Sequence, residues 1–167
     1  MQLVEFNQAS AEDAMIFLKH CVQIPSWSTE LAAKRPYASL EDILNAANQQ
    51  AATWSWDEIK TALDNHPRIG EKQAQAELSE IEKDFSHREQ SGITADKDTQ
   101  LALLKGNLAY EKKYGLIFLI KAAGLSSEDV LQALNYRLLN DPEIEKRIVH
   151  HQLAEIALSR LAQELHA

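Results

Sequence analysis

Five glycines and four prolines are all the chain breakers among 167 residues, and that scarcity limits the fold more than any other feature. A β-rich domain turns back every few residues, and glycine and proline supply most of the geometry for those turns. The runs between the breakers are dominated by Leu, Ala, Glu, Gln and Lys, which favour helix. The expectation is an all-α fold, a multi-helix bundle forming a single domain over residues 1–167. At 18.8 kDa such a chain is long enough to bury a substantial core.

Capping residues and apolar periodicity divide the chain. Ser10 opens a helix with Ala14, Phe17, Leu18 and Cys21 on its apolar stripe, closed by Pro25. Residues 26–37 carry Trp27, Leu31, Pro36 and Tyr37 without sustained period and read as a loop with room for one helical turn. Ser39 caps a helix to about Thr53 with Leu40, Ile43, Leu44 and Ala47 inward. Ser55 caps the next, which ends at His66, with Trp54 and Trp56 anchoring that corner. Ala74, Leu78, Ile81 and Phe85 mark a helix over 71–90. The run from Asp96 to Tyr114 is a long helix with Leu101, Leu104, Leu108 and Tyr110 or Glu111 inward, and Gly115 stands just past its end. The one continuous apolar run follows. Lying between Gly115 and Gly124, it reads as a short, buried, largely extended segment near 116–123. Ser126 or Ser127 then caps a helix through Leu139 with Val130, Leu131, Leu134 and Leu138 inward. Pro142 suits the first turn of a final helix to about Leu165 that buries Ile144, Ile148, Leu153, Ile156 and Leu161.

Charge and composition exclude several functions. A formal charge of -8 and a pI near 5.2 argue against a nucleic-acid partner. Cys21 is the only cysteine, so no intrachain disulfide forms, and the residue reads as a small buried apolar group in a reducing compartment. No apolar run reaches membrane-spanning length, no signal pattern opens the chain, and a cytoplasmic protein is expected. His20, His66, His87, His150, His151 and His166 include no helical histidine pair with an adjacent glutamate, so no metal site is expected. Phosphate-binding glycine loops and a presented G-x-S-x-G serine are absent too.

Two polar helix ends remain. In Asn65-His66-Pro67-Arg68-Ile69-Gly70 the proline must stop the preceding helix, leaving an imidazole at its terminus beside a guanidinium. A titratable group in such a place suits a ligand, and equally suits a polar residue that merely finishes a helix. The second is Ser86-His87-Arg88-Glu89-Gln90-Ser91-Gly92. Arg160 is spaced from Glu155 and Glu164 as for an intrahelical ion pair, and Arg68 and Arg88 also read as solvated side chains. On residues alone the chain is a helical domain with a candidate acid/base site.

These stretches, with Tyr114-Gly115 before the apolar run, Leu139-Asn140-Asp141-Pro142-Glu143 and Glu155-Ile156-Ala157-Leu158-Ser159-Arg160-Leu161, occur in an order that resembles the 2-oxo-4-hydroxy-4-carboxy-5-ureidoimidazoline (OHCU) decarboxylases of uric acid degradation. The resemblance implies an all-helical enzyme that uses no metal or organic cofactor and releases carbon dioxide from OHCU to give (S)-allantoin. It implies His66 as the catalytic acid and Glu89 as its acidic companion. It assigns substrate contacts to Pro67, Ser86, His87, Arg88, Gln90, the Phe118, Leu119, Ile120, Lys121 and Ala122 backbone, and Arg160. Its partners would be the small-molecule substrate and a second copy in a homodimer, with no nucleic acid and no membrane. Arg68 and Ile69 stand where many members have an acidic and a small residue, Leu116-Ile117 where Phe-Pro is usual, and Lys121 where an apolar residue is common. The competing readings are a helical protein-binding module and a metal-dependent hydrolase.

Overall fold

The computed structural model describes residues 1–66, 89 and 96–167, and within these it contains eight α-helices and no strand. The all-α expectation holds. The helix expected over 71–90 lies, Glu89 apart, outside the described residues. The chain divides into two compact units, Met1–Ala62 with Ala154–Ala167, and Leu63–Leu153.

In the first unit, local capping chemistry sets where helices begin. Helix α1 is Leu3–Gln8, α2 Ala11–Cys21, α3 Pro25–Ala33, α4 Leu40–Ala51 and α5 Trp56–Leu63. The Ser10 hydroxyl accepts the Asp13 amide at 3.0 Å and opens α2, and Ser39 does the same for Asp42 at 3.1 Å in α4. At α5 the exchange is reciprocal: Ser55 Oγ accepts the Glu58 amide at 3.1 Å and the Glu58 carboxylate accepts the Ser55 amide at 2.9 Å. Glu58 also accepts from the Ser26 hydroxyl.

Two elements differ from expectation. Residues 26–37 are not mainly loop: Pro25 sits in the first turn of α3, where its missing amide hydrogen costs nothing. The helix is short and apolar enough to be buried by Trp27 and Leu31, so it shows little periodicity. The Trp27 indole donates to the Ala47 carbonyl at 3.1 Å, and α3 packs between α2 and α4. Helix α1 is not expected from the sequence, because six residues carry too little pattern. Arg35 secures its end by donating to the Phe6 and Ala9 carbonyls at 2.7 Å each.

The second unit holds α6 (Lys97–Tyr114), α7 (Ser127–Arg137) and the start of α8 (Pro142–Glu164). Asp96 caps α6 through the Thr99 amide at 2.8 Å, and Gly115 ends it in the left-handed region at φ 70°. Ser126 and Asp129 form a capping box for α7. Residues 116–123 are neither helix nor strand and bury Phe118, Leu119 and Ala122, as expected of the apolar run.

Tyr110 on α6 and Leu153, Ile156 and Leu161 on α8 are buried as expected, but the rest of the α6 face and the start of α8 differ. Leu101, Leu104 and Leu108 are 50%, 53% and 59% exposed, while Leu103, Gly106, Asn107 and Tyr110 face the core. The cause is close approach of α6 to α7: a Cβ on Gly106 would meet Leu134 Cδ2 at 2.4 Å, so the face carrying the glycine must be the packed one. At the start of α8, Ile144 is exposed and Glu145 is buried instead, because Glu145 has polar partners inside.

Gly106→Ala should therefore destabilise the fold. Helix propensity favours alanine by up to about 1 kcal/mol, whereas forcing a methyl against the buried Leu134 costs about 1–3 kcal/mol. A fall in Tm of a few degrees is expected on thermal melting, and a rise would mean that Leu134 repacks freely. Glu58 gives a pH test. The Ser26 hydroxyl, then the Ser55 amide, hold its carboxyl below the ordinary value of 4.5. A carboxyl more acidic when folded stabilises above its unfolded pKa and loses that contribution as pH falls through the folded one. Glu58→Gln should lower Tm more at pH 7 than at pH 3. Equal losses at both would remove the charge from the explanation.

Candidate active site

Helix α5 ends at Leu63, and the His66 amide donates to the Leu63 carbonyl at 3.0 Å in a turn that finishes the helix. His66 is half-buried at this terminus, as expected from the proline that follows it in sequence. Glu89 is helical and half-buried. Pro67, Ser86, His87, Arg88 and Gln90 lie outside the described residues. His66, Glu89 and residues 118–122 belong to the second unit, and Arg160 belongs to the first. Arg160 is buried on α8 and donates from Nη1 to the Cys21 carbonyl at 3.2 Å, so it is not simply a solvated surface charge.

The segment 118–122 is the best-defined part of the candidate site. Phe118, Leu119 and Ala122 are buried, and Ile120 and Lys121 are half-buried. Backbone outside helix and sheet needs hydrogen-bond partners from elsewhere. Two of them are side chains: Arg137 donates from Nη1 to the Leu119 carbonyl, and Gln152 Oε1 accepts the Lys121 amide at 2.7 Å. Arg137 is itself buried, with its guanidinium 4.6 Å from the centre of the Phe118 ring. Its Nε lies 2.7 Å and its Nη2 2.6 Å from Glu145 Oε1. Glu145 also accepts from the Tyr110 hydroxyl at 2.6 Å and from Asn140 Nδ2 at 3.0 Å. Burial, and donation to Glu145, push the Tyr110 phenol well above its ordinary range, so it stays a protonated donor.

Sequence reasoning missed Arg137, Glu145 and Gln152, and read Tyr110 only as core. A signal was present. Val130, Leu134 and Arg137 share one face of α7, and Glu145, Val149, Leu153 and Ile156 share one of α8. A charged residue in an apolar register is a buried ion-pair candidate. Among the described residues no group of three His, Cys, Asp or Glu side chains is gathered as a metal site, and no helix is long and apolar enough to cross a membrane.

The helical architecture is shared with solved structures. A crystal structure of an OHCU decarboxylase in the presence of (S)-allantoin superposes with a TM-score of 0.72 at 23% identity, covering 93% of this chain and 97% of that one. A crystal structure of (S)-allantoin synthase gives 0.71 at 16% identity, covering 99% of this chain and 54% of that one. Both superpositions show a shared helical fold. The OHCU decarboxylase family model matches residues 7–162, and the chain belongs to that family. It is 26% identical over 164 residues to a uric acid degradation bifunctional protein of Bacillus sp. (strain TB-90), covering 98% of this chain and 32% of that protein. It is 29% identical over 153 residues to the bifunctional protein TTL of Arabidopsis thaliana, covering 87% of this chain and 45% of that protein. It is 30% identical over 169 residues to the bifunctional protein PucL of Bacillus subtilis (strain 168), covering 95% of this chain and 31% of that protein. The chain therefore spans less than half the length of these relatives.

Cys21 should be chemically silent. Burial pushes its thiol up to about 12, against the opposing pull of Arg160. With the thiolate suppressed at pH 8, Ellman's reagent should find no reactive thiol in the native protein and one equivalent after unfolding in guanidinium. Rapid native reaction would contradict the packing of α2.

Proposed function

We propose that residues 1–167 act as a single OHCU decarboxylase domain that converts OHCU into (S)-allantoin and carbon dioxide in urate breakdown, with His66 as the proton donor. The observation that carries this reading is the family match over residues 7–162. The presence of (S)-allantoin with the similar crystal structure supports the choice of product. The cytoplasm and a homodimer are its expected setting and assembly.

The chemistry suits a sparse site. The substrate carries its carboxylate on a ring carbon next to a C=N bond. When the bond to carbon dioxide breaks, its electron pair moves into that ring, leaving an enol-like intermediate. One proton is then added to one face of the ring carbon bearing the ureido group, and the hydroxyl becomes the carbonyl of allantoin as its proton passes to the ring nitrogen that took up the electron pair. The substrate is its own electron sink. The protein must hold the carboxylate out of the ring plane, stabilise the intermediate and deliver the proton, which is mainly positioning and electrostatics.

His66 suits the delivery, since an imidazole is the side chain that exchanges protons near neutral pH and this one is half-buried just past a helix end. Glu89 acts as its acidic companion, favouring the imidazolium and fixing its orientation. The backbone of Phe118, Leu119, Ile120, Lys121 and Ala122 offers donors and acceptors to the cyclic ureide. By the family resemblance Pro67, Ser86, His87, Arg88, Gln90 and Arg160 are further substrate contacts.

His66→Asn should lower kcat about a hundred- to ten-thousand-fold while the helical circular dichroism is unchanged. The measurement is chiral allantoin formation from OHCU made in situ from urate. Normal turnover would remove His66 from the mechanism. Glu89→Gln keeps the shape and removes the charge, so the pH profile of kcat should move to lower pH as the imidazolium loses its partner. Addition of a chelator should leave the rate unaltered, and inhibition reversed by added metal would favour a metal-dependent reaction.

A further inference from the structure

The family reading treats the backbone of residues 118–122 as a substrate contact but does not say what aims it. We infer that Arg137 and Gln152 are positioning residues that fix two successive peptide planes so that Ile120 presents its own N–H and C=O as a donor–acceptor pair for a cyclic ureide. This inference rests on the function proposed above.

The argument is geometric. The Leu119 carbonyl is held by Arg137 Nη1, and the Lys121 amide by Gln152 Oε1 at 2.7 Å. Neither peptide bond on the two sides of Ile120 is cis. A trans peptide is planar, with its C=O and N–H directed to opposite sides. Turning the Leu119 carbonyl toward Arg137 therefore turns the Ile120 N–H away from Arg137. Turning the Lys121 N–H toward Gln152 likewise turns the Ile120 carbonyl away from Gln152. The Lys121 amide is then engaged within the protein, so among the expected backbone contacts it is Ile120, half-buried, that carries the pair. A ureide offers the complementary carbonyl and N–H side by side.

The supporting cluster has the stiffness this task needs. Arg137 is clamped by Glu145 through Nε and Nη2, at 2.7 and 2.6 Å, and stacked on Phe118 at 4.6 Å. Tyr114 bonds the Arg137 and Asn140 carbonyls at 2.7 and 2.6 Å, fixing the end of α7 from which Arg137 projects. Replacing a buried ion pair by apolar side chains is often harmless to stability, so helix packing alone does not require this one. A guanidinium does what an apolar group cannot, donating to a carboxylate and to a chosen carbonyl at once.

The test compares Gln152→Leu, Gln152→Glu and the double variant Arg137→Met with Glu145→Gln, which leaves no lone buried charge. Turnover of OHCU made in situ and calorimetric binding of (S)-allantoin are both measured. Gln152→Leu and the double variant should each raise KM and weaken (S)-allantoin binding by roughly tenfold, the worth of one misplaced hydrogen bond. The pH midpoint of kcat should stay that of the wild type, because His66 is untouched. Gln152→Glu retains an oxygen acceptor and should recover most of the loss. Equal losses in the Leu and Glu variants, or wild-type KM and binding in Gln152→Leu and the double variant, would overturn the inference. If the double variant does not fold, the Gln152 pair alone decides. A wild-type protein that turns over OHCU no faster than buffer overturns the proposed function itself, a result distinct from any of these.

Discussion

A carboxylate and a guanidinium sealed inside a helical unit need a reason to be there. Transferring Glu145 and Arg137 out of water costs several kcal/mol per ion, and only good geometry with further hydrogen bonds offsets that. Both conditions are met. Glu145 receives Tyr110 from α6, Arg137 from α7 and Asn140 from the turn before α8, and Arg137 spends its remaining fork on the Leu119 carbonyl. One ion pair thus connects three helices of the second unit to the non-helical stretch 116–123 of its core. Lysine has one point of charge and no plane, so it could not serve the carboxylate, the carbonyl and the Phe118 ring together.

Helix starts were legible because their causes are local. Ser10, Ser39, Ser55, Asp96 and Ser126 each satisfy an amide three residues on, and a reader needs only those few positions to see it. Registers were less legible because their causes are distant. On α6 the sequence offers leucines at 101, 103, 104 and 108, and the longest stripe runs through the wrong three. What selected the true face was Leu134 on another helix, which requires a neighbour without a side chain at Gly106. Pro25 misled in the same way: it read as a stop for α2 when it is also the first turn of α3.

The candidate site divides along the same line. His66 was legible because a proline beside it forces the helix to end, a rule that acts over one peptide bond. Glu89 and Arg160 gained their meaning from resemblance to a family rather than from spacing, and Arg160 alone reads as an intrahelical pair. Arg137 and Glu145 are easily passed over, because charged side chains on amphipathic helices are normally counted with the solvent face. Each lies where the apolar period demands a core residue, and only the partner on the other helix shows why.

On the proposed function, the non-helical segment follows from what a ureide is. Such a ligand is mostly carbonyl and N–H, and the protein group that matches it best is another amide. In a helix or a sheet those groups are already consumed by the ladder. A helical protein that binds a ureide by its main chain must therefore break a helix and leave peptide planes unladdered. Gly115 and Gly124, at φ 70° and 80°, bracket such a break. The segment between them is then kept in place by burial of Phe118, Leu119 and Ala122, which gives it depth but no orientation. Hydrophobic burial is non-directional. Orientation of a peptide plane has to come from directional bonds, and here these come from a buried guanidinium on one side and a carboxamide oxygen on the other.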